Sequence, residues 1–89
     1  NKFTDLTENN ISIYPNPASN FVNISFSENL IKNIEISIYN SLGLKAKNIS
    51  NSFFNQTISF SVEDLPSGIY FIQFEDGKSV ISKPIIISK

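Results

Sequence analysis

The chain contains no cysteine, no histidine and no arginine. Without cysteine there is no disulfide framework, no thiolate nucleophile and no thiolate metal site. Without histidine the commonest general base and the commonest metal ligand are both missing. Without arginine the usual bidentate reader of phosphate and guanine is missing too. Charge is scarce: Asp, Glu and Lys make up 17% of the residues and the net charge is −1, so neither nucleic acid nor an anionic membrane is an electrostatic partner. No apolar run approaches the roughly 20 residues a membrane helix needs, so direct membrane insertion is not expected. The sequence opens at Asn1 with no charged-then-apolar signal segment, and reads as a domain of a longer protein. A small domain without disulfides must hold itself by packing, which suits a bacterial surface or periplasmic setting and leaves the cytosol open.

What is present is enough for one core. The 89 residues are 40% hydrophobic and 12% aromatic. A domain of this length buries about 60–65% of its unfolded surface and has little stability to spare. Apolar residues alternate with polar ones at period two, the signature of a half-buried strand. Val22, Ile24 and Phe26 do so, as do Ile34, Ile36 and Ile38, then Ile58, Phe60 and Val62, then Tyr70, Ile72 and Phe74. Ile11 to Tyr14 is a short first strand, ended by Pro15 and Pro17, which cannot donate to a ladder. Asn16-Pro17-Ala18-Ser19 fits a type I turn, and Asn40-Ser41-Leu42-Gly43 another, with Gly43 in the left-handed position of a hairpin loop. Leu44 to Ile49 returns as a partner strand, with Lys45 and Lys47 placed on the solvent side of a sheet edge. Asp76-Gly77 is a hairpin signal ahead of a last strand over Ser79 to Ser88. Glu28 to Lys32 and Asn51 to Asn55 read as loops, and residues 1–10 as a linker. Helical spacing is nowhere sustained. Short strands with turn signals every eight to twelve residues predict an all-β, antiparallel β-sandwich of about seven strands.

Leu65-Pro66-Ser67-Gly68-Ile69-Tyr70 has the shape of a tyrosine corner, in which a Tyr hydroxyl near the start of a strand bonds back to upstream backbone. Tyr70 is equally compatible with a plain buried strand aromatic. The last strand breaks the alternation. Ile85, Ile86 and Ile87 put apolar side chains on both faces, and Pro84 belongs at an edge or a bulge. Either a loop covers the second face, or drift at the chain end has left an apolar tail, or the strand is presented to a partner.

Candidate chemistry is thin. Glu63-Asp64 and Glu75-Asp76 are short acidic pairs that read as solvated turns, since a calcium site needs several oxygens converging from one loop. No carboxylate has a companion at a telling spacing for acid–base work. Tyr39, Phe53 and Phe54, if exposed, would make a sugar-stacking platform, although core packing is the commoner use of each. No catalytic, cofactor-binding or metal-binding residue is assigned.

Four stretches go further when taken in order: Ile13-Tyr14-Pro15-Asn16-Pro17, Ile38-Tyr39-Asn40-Ser41-Leu42-Gly43, Leu65-Pro66-Ser67-Gly68-Ile69-Tyr70-Phe71-Ile72, and Lys83 to Lys89. Together they resemble the type A C-terminal sorting domain of the type IX (Por) secretion system of Bacteroidetes, over about Ile11 to Lys89. The resemblance implies an immunoglobulin-like sandwich behind a cargo domain of the same chain. It implies passage through the periplasm, export by an outer-membrane translocon, cleavage by a cell-surface peptidase, and a cargo that ends at the cell surface or secreted. Gly68 and Tyr70 fall on the family's Gly-x-Tyr element, and Pro15, Asn16 and Pro17 on its opening turn. Gly43 falls on a turn glycine. Lys83, Ile85, Ile86, Ile87 and Lys89 fall on its terminal lysine-and-aliphatic element, expected to be what the translocon recognises. Pro84 departs from the pattern and puts the pairing of the last strand in question. The expectation is therefore a non-enzymatic sorting domain over residues 11–89 after a linker over 1–10. The rival is a fibronectin-like or carbohydrate-binding β-sandwich module.

Overall fold

The alternating stretches all become strands. The computed structural model describes residues 11–26, 34–49, 57–75, 77 and 79–89. The linker, the Glu28–Lys32 loop, Phe53, Phe54 and Asp76 lie outside them. Seven strands follow in order: β1 (Ile11–Tyr14), β2 (Phe21–Phe26), β3 (Glu35–Asn40), β4 (Lys45–Asn48), β5 (Thr57–Ser61), β6 (Gly68–Glu75) and β7 (Val80–Ile87). All pairings between them are antiparallel, in two sheets ordered β1-β2-β5 and β4-β3-β6-β7. This is the predicted immunoglobulin-like sandwich, and no helix occurs among the described residues.

The core is the set of inward positions that alternation selects. Val22, Ile24 and Phe26 from β2 face Ile36 and Ile38 from β3, Ile72 and Phe74 from β6, and Ile85 and Ile87 from β7, all buried. Phe26 and Phe74 meet edge to face across the two sheets, centroids 6.1 Å apart, a favoured aromatic geometry. Ile58 and Phe60 are only partly buried and pack against this cluster.

The Asn40–Gly43 turn forms as expected. Gly43 N–H donates to Asn40 O at 3.0 Å, and Gly43 has φ +87°, a conformation that favours glycine. Asn40 Oδ1 adds a second tie, accepting from the N–H groups of Leu42 and Leu44.

Two local expectations are corrected. The first concerns Asn16–Ser19, where the chain bends rather than closing a type I turn. Ala18 N–H donates to Ile86 O at 2.9 Å and Ala18 O accepts from Ser88 N–H at 2.8 Å, a parallel bridge onto β7. Pairing with an open edge, and full burial of Ala18, outweigh a local turn bond. The Tyr14–Pro15 and Asn16–Pro17 peptide bonds are both cis. The second concerns β4, which is an edge strand, but whose lysines lie on opposite faces. Register shifts between Ile38 and Tyr39, so that Ile38 pairs with Lys47 and Tyr39 with Lys45. A bulge of one residue moves every later side chain to the other face. Lys45 lies over the Tyr39 ring at 5.9 Å, while Lys47 shares the face of Ile38 and its ammonium reaches Asp64 at 2.9 Å.

Candidate functional site

The terminal strand is built from two directions. On its inner side β7 pairs with β6 without interruption, from Gly68↔Ile87 to Glu75↔Val80. Pro84 sits within this ladder opposite Phe71 and does not break it. The reason is the direction of its nitrogen. Ile86, two residues on, turns its N–H and C=O away from β6, toward Asn16 and Ala18. Period two gives Pro84 the same orientation, so its missing N–H falls on the outer edge, where no ladder bond is lost.

The outer edge is fastened at one end. Asn16 Oδ1 accepts from Ile86 N–H at 3.0 Å, beside the two Ala18 backbone bonds. Lys89 N–H donates to Ser67 Oγ at 2.9 Å. Its ammonium donates to the carbonyls of Val62 and Glu63 at 2.9 and 3.0 Å. The Lys83 ammonium reaches the carbonyl of Ile11 at 3.2 Å, across to the other sheet. The opening Pro-Asn-Pro stretch and the terminal lysines, separate in sequence, thus converge on one strand.

Tyr70 makes the corner. Its hydroxyl donates to Pro66 O at 2.7 Å and its ring is buried. This holds the start of β6 against the preceding loop, with Gly68 at the strand's first position.

The five terminal residues are therefore not equivalent. Ile85 and Ile87 are 1% exposed and belong to the core, whereas Ile86 is 46% exposed on the outer face of the four-stranded sheet. Lys83 and Lys89 use their ammonium groups to tie backbone carbonyls. What the second half of the strand shows outward is Ile86 and Pro84. Both stand directly beside exposed residues of β6, since Ile86 pairs with Ile69 and Pro84 with Phe71. Nothing in the sequence marks Ile69, Phe71 or the Asn16 and Ala18 contacts as parts of a site. The Ile69-x-Phe71 spacing did place the first two on the face opposite Tyr70 and Ile72.

The outer face of this sheet runs in graded rows across its strands. Glu35 lies opposite Glu75, which lies opposite Val80. Next come Ser37, Gln73 and Ser82, then Tyr39, Phe71 and Pro84, then Ile69 and Ile86. Leu42 and Leu44, both well exposed, lie in the β3–β4 turn, where Leu44 O accepts from Asn40 N–H and the Leu44 side chain alternates to the side away from Lys45. Tyr39 is half-buried beneath Lys45, which leaves it a poor sugar platform.

No group of three or more metal-ligating side chains gathers among the described residues. Asp64, in the turn before Leu65, is held below the ordinary carboxylate pKa chiefly by its hydrogen bond from Lys47. Asp64 is well exposed and Lys47 half-buried, and so solvent-screened a pair carries no chemistry.

A family model described as the secretion system C-terminal sorting domain matches residues 12–88. No curated protein matches the chain. The matched span takes in all seven strands except Ile11 and all four ordered stretches named above except Lys89.

Proposed function

This chain belongs to the family of secretion system C-terminal sorting domains, and from that premise we propose that it directs a cargo domain of the same chain out of the periplasm by the type IX route. The family is one of sorting signals and not of enzymes, and its cargo is bound for the cell surface or the medium. The observation that carries the reading is the match over nearly the whole chain, resting on a fold in which the opening Pro-Asn-Pro stretch and the Gly68-x-Tyr70 element both meet β7.

In this reading the domain travels folded. The outer-membrane translocon recognises the terminal element Lys83, Ile85, Ile86, Ile87 and Lys89, and a cell-surface peptidase then cuts at or before residues 1–10. Pro15, Asn16, Pro17, Gly43, Gly68 and Tyr70 serve the scaffold. Asn16 and Tyr70 support that assignment through the bonds they make to Ile86 N–H and Pro66 O.

Export of a reporter tests the reading. A periplasm-targeted fluorescent protein is fused ahead of this chain in a Bacteroidetes host that has the secretion system. The expected result is fluorescence outside the cell, lost when Lys83 to Lys89 are removed. Retention of the intact fusion in the periplasm, with the domain folded, would refute the sorting role and direct attention to glycan binding.

A further inference from the structure

Of the exposed apolar side chains, four stand side by side at one end of the outer face of the four-stranded sheet: Ile69, Phe71, Pro84 and Ile86. Folding does not call for them. An antiparallel sheet with one face on the core normally presents polar residues on the other, as the half-buried Gln73 and the exposed Ser82 of this same face do. Contiguous exposed apolar surface marks a place where something docks. The chain enters β1 at Ile11, which pairs with Phe26 at the Phe74 end of the sandwich, while the cluster lies at the Ile87 end.

We infer that this end of the sheet is the surface on which the secretion machinery docks, reading the folded domain through an apolar surface of its own that carries a carboxylate opposite Lys45. The inference rests on the sorting reading and refines it: the outward residues of β6 and β7 are the contacts, and the inward residues Ile85 and Ile87 act only by holding β7 in place. Two observations favour this occupant over a second copy of the chain. A stable dimer of standard size uses about 20–30 residues a side, and four clustered side chains fall well short of that. A small apolar contact suits a partner that must let go of each cargo in turn. The face is also polarised, with Lys45 over Tyr39 beside the apolar end and Glu35 and Glu75 at the other. Such a gradient fixes the orientation of a partner whose own charges are reversed.

The same fluorescent fusion tests it, with Ile69→Ser, Phe71→Ser and Ile86→Ser combined, beside the intact fusion. Folding is checked on the purified variant by circular dichroism and melting. The expected result is a folded variant whose extracellular signal falls by roughly tenfold or more, since truncating one hot-spot side chain alone weakens an interface by about that factor. Export of the folded triple variant at the intact level would overturn the inference and leave the sorting role standing. Failure of the intact fusion to leave the periplasm would overturn both. Should the triple variant not fold, the single Ile86→Lys decides, with loss of export by a folded protein supporting the docking face and unchanged export refuting it.

Discussion

The two sheets differ on their outer faces far more than on their inner ones. Outward positions of the three-stranded sheet are Ser12, Ser25 and Thr57 in one row, Tyr14, Asn23 and Ser59 in the next, then Phe21 and Ser61. These groups bond one another: Ser59 Oγ donates to Asn23 Oδ1, and Asn23 Nδ2 donates to Tyr14 O. This is mostly a solvated face that finds its partners within the sheet. The four-stranded sheet instead ends in Phe71, Pro84, Ile69 and Ile86. Both inner faces are continuous aliphatic and aromatic core. Folding thus accounts for the inner faces and for most of the first outer face, and leaves the apolar end of the second to be explained by contact with something else.

The comparison breaks most clearly on the terminal strand itself. Ile87→Ala should cost about 2–5 kcal/mol, as deletion of buried methyl groups does, whereas Ile86→Ala should stay within about 0.5 kcal/mol of the parent. Urea unfolding of both variants checks this, and equal losses would mean that the outer face belongs to the fold. A smaller loss is expected for Tyr70→Phe, about 1 kcal/mol or somewhat more, because Pro66 O loses its hydroxyl donor. Its midpoint should fall without a change in the slope against denaturant. Asn16→Ala should cost about 0.5–1.5 kcal/mol and speed hydrogen exchange at Ile86 N–H, which Asn16 now protects. Exchange that is unaltered there would show that the Ala18 bridge alone closes the edge.

The smallest effect concerns pH. Asp64 has its folded pKa below the ordinary value of 3.8, so whatever the Lys47 pair contributes is present above that value and is lost as pH falls through the lower, folded one. The stability gap between the parent and Lys47→Met should accordingly close below about pH 4. A gap that persists in acid would assign it to the packing of the Lys47 stem.

Much of this was legible beforehand, for physical reasons that differ by element. Alternation in β2, β3 and β6 predicts both strand and buried face, because each strand has one face on the core. Sequence alone fits Tyr70 equally to a tyrosine corner and to a plain core aromatic, and the 2.7 Å bond from Tyr70 to Pro66 decides for the corner. Other features are set by partners distant in the chain. Ala18 is buried only because its segment lies against β7, some seventy residues later, and nothing in Pro17-Ala18-Ser19 reports that. Lys45 and Lys47 look equivalent until the bulge at Ile38 and Tyr39 separates them. The terminal element is the instructive case. Three successive isoleucines predict apolar side chains on both faces, and that is what is found. Which of them stands outward follows from the ladder with β6, and so does the fact that Ile86 meets Ile69.

The most direct test of the account sets one outer face against the other in the export assay. One fusion carries Tyr14→Ser and Phe21→Ser on the three-stranded sheet, and the other Ile69→Ser and Ile86→Ser on the four-stranded sheet, both verified as folded. The account predicts that the first is exported like the parent while the second stays in the periplasm. Export of the second with retention of the first, or equal export of both, would contradict it.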